Sequence, residues 1–432
     1  MPRSILGRVT LEPLPISLSS ASVHAALPVL RDCLAGGRAV LPISPDDAGR
    51  HLAAVMDAGE TGCPGTPGTL VACTSGSTGT PKGAVLTADA LTASAEATAS
   101  YLRERYNVEP GPWLLALPPH HIAGVQVILR SLHAGFEPAV LPAAARFTTA
   151  AFAEATALLR ITHQHEDLYT SLVPTQLRRL LDDADRANTA SGTPDEVATA
   201  VAAMDGITAL RLYSAILVGG AACPDDLVER CTAEGIRIVR TYGSSETAGG
   251  MVYDGTPIPG TAVEIEDPDP DGVGRVLLSG PTVATGYRNV DSGEAFPAPQ
   301  VFRTSDLGRL DDGMLNILGR ADGAITSGGL KILPEDVEHA LDAAGFTACV
   351  TALPDEQWGQ IVVAVVEGGG PGADAPARDI TDLVRATLRD AGVEAHLIPR
   401  RALQLEEHEH LPLTGPGKLD RQAVQRLAAT RL

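Results

Sequence analysis

Short apolar runs recur along the chain and stop at glycine, serine or proline: "TLVAC" (69–73), "WLLAL" (113–117), "SAILVGG" (214–220) and "RIVRTYG" (237–243). Runs of about five apolar residues bounded by turn formers read as buried strands. Longer stretches between them have helical spacing. "IAGVQVILRSLHAG" (Ile122 to Gly135) places apolar residues at 122, 125, 128, 129 and 132 and ends on glycine, the pattern of a helix with one buried stripe and a glycine stop. Strands alternating with helices predict an α/β protein with a largely parallel sheet, whose ligands bind at the carboxyl ends of its strands.

Three Gly-, Pro- or polar-rich stretches read as surface connections: Ala58 to Thr69, Asp183 to Glu196 and Glu367 to Asp379. The pattern changes after about Asp322. "EDVEHALDAAG" reads as a helix, "IVVAVVEGG" as a strand and "ARDITDLVRATLRDAG" as an amphipathic helix, together a small α+β module that needs its own core. A boundary at "GRADG" (Gly319 to Gly323) divides a large domain, 1–319, from a small one, 320–432. No internal repeat is evident.

Size and charge narrow the function classes. A chain of 432 residues exceeds one ordinary domain. The formal net charge of −20 repels phosphate backbones and anionic headgroups, which argues against nucleic acid as a partner. Six cysteines without a CxxC pair suggest neither a zinc ribbon nor a disulfide framework. The N-terminus lacks an apolar h-region and no apolar run approaches the roughly 18 residues of a membrane span. The expectation is a soluble, cytoplasmic protein without membrane insertion, compatible with a homo-oligomer.

The candidate chemistry begins at "TSGSTGTPKG" (Thr74 to Gly83), a loop rich in glycine and hydroxyl groups that follows the "TLVAC" strand. Glycines let backbone approach a phosphate, hydroxyls donate and Lys82 adds positive charge. The stretch beginning "AVLTADALTASAEATASYLRERY" reads as leading into a long helix, so the layout predicted is strand, loop, helix, with backbone N–H groups aimed at an anion. A Walker A loop is excluded, because its second glycine would fall at Pro81.

"TSGSTGTPKG" resembles the phosphate loop of the adenylate-forming superfamily, which includes acyl- and aryl-CoA ligases. Five further stretches resemble that superfamily's motifs in its order: "VGGAACP" (218–224), "YGSSETAGG" (242–250), "FRTSDLGRL" (302–310), "GRADGAITSGGLKILPEDVE" (319–338) and "LPLTGPGKLDR" (411–421). The resemblance implies a large N-terminal domain and a small mobile C-terminal one. The implied reaction is attack of a carboxylate on the α-phosphate of ATP, followed by attack of a thiol, coenzyme A, on the acyl-adenylate.

The same resemblance implies residue roles. Thr74, Ser75, Gly76, Ser77, Thr78, Gly79 and Lys82 would hold the phosphates. Gly220, Ala221, Tyr242, Gly243 and Thr247 would meet the adenine side, with Tyr242 stacking on the base. Glu246 would hold Mg²⁺, preceded by Ser245 where the superfamily usually has threonine. Asp306 would accept the ribose hydroxyls, with Arg320 beside the ribose or phosphates. Asp322 would be the hinge, about 320–323, although Gly323 stands where a second acidic residue is usual. Lys418 would bridge the substrate carboxylate and the α-phosphate.

The acid is addressed by "LPPHHIAGVQVILRS" (117–131). Paired histidines suggest a metal, but no third ligand stands at helical spacing. The resemblance instead places His121 beside the carboxylate pocket. The aspartate that amino-acid-activating members carry near this position is missing, which favours an acid without an α-amine. With "TSLVPTQLRRLL" (170–181), the stretch resembles the o-succinylbenzoate-CoA ligases of menaquinone synthesis, and the 73 residues ahead of the phosphate loop match their shortened forms. Another aryl- or acyl-CoA ligase is the alternative, and a non-catalytic nucleotide-binding homologue a more distant one. The second carboxylate of such an acid leaves Arg130, Gln176, Arg178 and Arg179 as candidates.

Overall fold

The strand Thr69–Thr74 lies in a five-stranded sheet ordered Pro64–Gly65, Val9–Pro15, Ala39–Ile43, Thr69–Thr74, Lys82–Thr87. Its inner pairings are parallel and its outer two antiparallel. Ala39–Ile43 is buried at every position, as a strand covered on both faces must be. The computed structural model describes residues 9–59, 64–74, 81–142, 147–188, 204–368, 378–406, 409–413 and 419–432, without the side chains of 184–188 and Asp322.

A second sheet has seven strands, ordered Thr256–Pro257, Gly249–Tyr253, Ile238–Ser244, Ala215–Gly219, Tyr169–Leu172, Trp113–Leu115, Ala139–Val140. From Ile238–Ser244 to Ala139–Val140 every pairing is parallel, and the other two are antiparallel. Parallel pairing sends the carboxyl ends of three strands the same way: Trp113–Leu115 toward His121, Ala215–Gly219 toward Gly220 and Ala221, and Ile238–Ser244 toward Glu246. Motifs more than a hundred residues apart in sequence therefore emerge along one edge of one sheet.

The helix expected from Ile122 runs over Ile122–His133, and Gly135 follows with φ +85°. It is buried on more of its circumference than one stripe, because Gln126, Val127, Arg130 and Ser131 are covered as well. It packs against helix Ala88–Tyr106 and against strands Trp113–Leu115, Tyr169–Leu172 and Gly249–Tyr253.

Two expectations need correction. The chain after the glycine-rich loop does not enter a helix directly: Lys82–Thr87 is a strand paired antiparallel with Thr69–Thr74. The helix begins at Ala88, capped by the Thr87 hydroxyl, which accepts from the Ala90 N–H at 3.1 Å. "KGAVLT" has the apolar, β-branched content that fits a buried edge pairing, and helical spacing starts only at the threonine cap. The loop thus joins two antiparallel strands, and no helix N-terminus opens at its exit. Likewise helix Pro174–Asn188 runs into the stretch read as a connection from Asp183, since no glycine or proline interrupts it before Gly192. The remaining part of that connection, up to 196, lies outside the described residues. Within the other two connections, Pro64–Gly65 pairs with Val9–Thr10 and Arg378–Asp379 with Leu403–Gln404.

The chain divides into two compact units, residues to 264 with 277–303, and 265–276 with 304–432. The sequence boundary at Gly319–Gly323 falls inside the second. A four-stranded sheet is ordered Ala262–Glu266, Gly274–Ser279, Val301–Asp311, Met314–Arg320. A six-stranded sheet runs Leu330–Ile332, Ile325–Ser327, Gly359–Val366, Arg401–Gln404, Arg378–Asp379, with Ala348–Asp355 also paired to Gly359–Val366. Period-two alternation splits the strand Gly359–Val366 between two apolar clusters. Val362, Ala364 and Val366 join Val337, Leu341, Val384 and Leu388, whereas Val363 and Val365 join Cys349, Leu403, Val424 and Ala428. Helices Pro334–Ala343 and Thr381–Asp390 cover the first cluster and Arg421–Arg431 the second, the α+β module anticipated from the pattern. Among the described residues no helix is long and apolar enough to cross a membrane.

Candidate functional site

Thr74 and Lys82 face each other in register as the last and first residues of the paired strands around the glycine-rich loop. Ser75, Gly76, Ser77, Thr78 and Gly79 lie outside the described residues. A segment from far along the chain fastens the loop's exit. Asn289 accepts from the Gly83 N–H at 3.1 Å and donates its amide to Pro81 O at 2.8 Å, while the Arg288 N–H bonds Gly83 O at 2.8 Å. Val85 exchanges backbone hydrogen bonds with Gly286 and Thr285, each at 2.9 Å.

The same segment reaches Glu246. The Ala284 N–H bonds Glu246 O at 2.8 Å, and the Tyr287 hydroxyl donates to Glu246 Oε1 at 2.8 Å. Glu246 is only 7% exposed, so its carboxylate depends on such a donor. Burial, then the neighbouring carboxylate, pushes the Tyr287 phenol well above its usual range, which keeps it protonated as that donor. Lys82 Nζ lies 5.4 Å from the centre of the Tyr287 ring, within cation–π range. Tyr287 therefore links the loop's lysine to the buried carboxylate. Neither Tyr287 nor Asn289 stood out in sequence, because "TVATGYRNV" carries no apolar period and no acid–base pair.

Glu246 sits in a one-turn helix, Ser245–Thr247. Thr247, fully buried, accepts from the Ser244 N–H at 2.9 Å and donates to Gly249 O at 2.7 Å, so its hydroxyl shapes the turn. Ala248 closes it in the left-handed region, φ 54°, an uncommon conformation for a residue with a side chain. Pairing with Gly249–Tyr253 slips register between Tyr242 and Gly243. A Cβ on Gly243 would come within 2.0 Å of Gly249 O, so the glycine is required by close approach of two strands. Tyr242 is half-buried beside it, and Gly220 (φ +83°) and Ala221 are exposed at the end of the neighbouring strand.

His121 caps helix Ile122–His133 through its backbone, and its ring lies 4.4 Å from that of His120, tilted by 48°. Burial holds the His120 imidazole below its ordinary pKa, against the opposing pulls of the Ile16 backbone and Asp46. Among the four candidates for a second carboxylate, three are engaged elsewhere. Arg178 pairs with Asp226 at the surface, Arg179 donates to Phe147 O, and Gln176 bonds the Val173 N–H and Ala116 O. Arg130 differs. It is 6% exposed, lies over the Trp113 ring at 5.4 Å and donates to Tyr253 Oη at 3.2 Å, and its Nε has no partner among the described residues.

In the second unit, Asp306 and Arg320 are cross-strand partners in the hairpin Val301–Asp311/Met314–Arg320, with Arg320 Nη1 3.7 Å from Asp306 Oδ1. Two motifs that sequence read separately are thus one pair. Ala321–Gly323 forms a single tight turn, and the side chain of Asp322 lies outside the described residues, as does Lys418. A lone buried carboxylate fits Mg²⁺, which takes few protein ligands and keeps phosphate oxygens and water for the rest.

A layered α/β unit with a glycine-rich loop and a buried carboxylate defines a nucleotide-binding enzyme class. A family model described as AMP-binding enzyme matches residues 64–288, and the chain belongs to that family. A relative named probable 2-succinylbenzoate–CoA ligase, from Mycobacterium tuberculosis, is 40% identical over 363 residues, covering 83% of this chain and 84% of its own. Among solved structures, a variant of Escherichia coli MenE with bound OSB-AMS matches with a TM-score of 0.69 at 25% identity, covering 98% of this chain and 89% of that one. The o-succinylbenzoate CoA synthetase of Bacillus subtilis matches at 25% identity in complex with the acyl-adenylate OSB-AMP (TM-score 0.62, 82% and 68% covered). With ATP and magnesium ion it matches at the same identity (TM-score 0.60, 82% and 69% covered).

Proposed function

We propose that this chain is an ATP-dependent acid–CoA ligase that converts o-succinylbenzoate to o-succinylbenzoyl-CoA, releasing AMP and pyrophosphate, a cytoplasmic step of menaquinone synthesis. The observation that carries the choice of acid is Arg130, a buried guanidinium over the Trp113 ring on the helix that His121 opens, with no acidic partner among the described residues. A buried cation without a counter-ion is costly, and the unreacted carboxylate of a diacid would supply one. The 40% identity to a probable ligase of this acid supports the same reading.

In this reading Thr74, Lys82 and the loop residues Ser75 to Gly79 hold the β- and γ-phosphates, and Glu246 holds Mg²⁺, kept in place by Tyr287. The ion supplies charge neutralisation for the phosphates. Tyr242, Gly243, Gly220 and Ala221 take the adenine, with Thr247 setting their backbone, and Asp306 and Arg320 take the ribose. Lys418 brings together the two anionic reactants, the acid's carboxylate and the α-phosphate. The carboxylate oxygen bonds to phosphorus as the bond to pyrophosphate breaks; the thiol of CoA then attacks the acyl carbon and AMP leaves. His121 flanks the reacting carboxylate, and residues 320–323 serve as the hinge between the half-reactions.

The test is ATP/pyrophosphate exchange driven by o-succinylbenzoate. Lys418→Ala should lower it about 10²- to 10³-fold, the cost of removing one group that stabilises developing charge, while thioester formation from supplied acyl-adenylate survives. Undiminished exchange in the variant would refute the role of Lys418. Exchange with another aryl or acyl acid but not with o-succinylbenzoate would refute the substrate.

A further inference from the structure

Gln126 lies one helical turn before Arg130 on helix Ile122–His133 and is fully enclosed, 0% exposed. Neither its Nε2 nor its Oε1 has a hydrogen-bond partner among the described residues. Buried amides are nearly always bonded, and an exception asks for an explanation. Its Cγ lies 3.4 Å from the point a Cβ on Gly249 would occupy, so the side chain packs on the turn that follows Glu246. Residues four apart share a helix face, and on this face stand three buried polar atoms without partners among the described residues, Gln126 Nε2 and Oε1 and Arg130 Nε.

We infer that Gln126 is a specificity-determining residue for the acid. An amide offers one acceptor and two donors. With Gln126 Nε2 and Arg130 Nε both without a partner among the described residues, each is left to donate to an oxygen of the unreacted carboxylate. Arg130 supplies charge and Gln126 the direction of approach. An acid lacking that carboxylate leaves both groups unpaired and is rejected, the mechanism by which a polar pocket discriminates better than an apolar one. This inference rests on the substrate reading above.

The experiment compares wild type, Gln126→Leu and Gln126→Met by pyrophosphate release with o-succinylbenzoate and with benzoate, which lacks the second carboxylate, alongside thermal melts. Either variant should melt at or above the wild-type temperature, since an apolar side chain of similar volume removes an unpaired buried amide. The KM for o-succinylbenzoate should rise about 10- to 100-fold, as for loss of a hydrogen bond to a charged group, and the preference for it over benzoate should fall, because benzoate then leaves one polar group fewer unpaired. Met retains the side-chain length should Leu fail to fold. If the variants melt higher but keep the wild-type KM, or lose both acids equally, Gln126 is packing and the inference falls alone. If wild-type protein is active on other acids but not on o-succinylbenzoate, the functional reading falls and this inference with it.

Discussion

Glu246 and Tyr287 show how a single hydrogen bond can hold a buried carboxylate, the one proposed as the Mg²⁺ ligand. The carboxylate is buried and the phenol that bonds it at 2.8 Å is held protonated by burial and by the carboxylate itself. Tyr287→Phe keeps the ring under Lys82 and removes only the donor. The KM for Mg·ATP in the exchange assay should rise about tenfold, from a charged hydrogen bond of roughly 1.5 kcal/mol, and the melting temperature should fall, because the buried carboxylate loses its donor. An unaltered KM would show that Glu246 is positioned without Tyr287. At this scale the sequence was uneven. "YGSSET" identified Glu246 by resemblance, but its partner comes from a segment 41 residues later that no periodicity marks.

Elements explain why certain motif residues are what they are. Gly243 tolerates no side chain because Gly249 O would lie 2.0 Å from its Cβ, and Thr247 ties the turn through its hydroxyl. Both contributions come from strand pairing and need no nucleotide. The C-terminal helix Arg421–Arg431 has its own tether, in which Arg431 donates to both carboxylate oxygens of Glu409 at 2.6 and 2.7 Å. The bonds from Arg431 bring the Glu409 pKa down to about 2. A carboxylate depressed on folding contributes stability above its unfolded pKa, about 4.3, and that contribution is lost as pH falls toward about 2. Urea midpoints measured between pH 5 and 2 should therefore decline less in Glu409→Gln than in wild type. The difference should be modest, because the pair is a third exposed and screened by solvent. Parallel slopes would show that the tether adds nothing.

At the scale of the whole molecule, net charge sets the partners. At −20 the protein is repelled by polyanions, so neither duplex DNA nor vesicles of anionic lipid should retain it at about 0.1 M salt, where charges still interact over roughly 10 Å. Retention that weakens with added salt would contradict this. Small anions are a different matter: in the proposed function they meet local cations, Lys82 and Arg130, both set beside aromatic rings.

By itself the sequence determined the class of fold and the order of the motifs, and by resemblance it named the residues proposed for nucleotide chemistry. These are local properties: a strand is marked by its apolar run, a helix by its spacing and a phosphate loop by its glycines. It misread the exit of that loop as a helix entry, because apolar "AVL" before a helical pattern has no local sign of its antiparallel partner. Only the tertiary structure decided that Lys82–Thr87 pairs with Thr69–Thr74, that Tyr287 and Asn289 serve a loop some 200 residues earlier, and that Asp306 and Arg320 are one pair. It also separated Arg130 from Gln176, Arg178 and Arg179 and, among the described residues, left the Gln126 amide without a partner one helical turn away. Burial and pairing depend on which distant strands lie together, and local spacing does not carry that information.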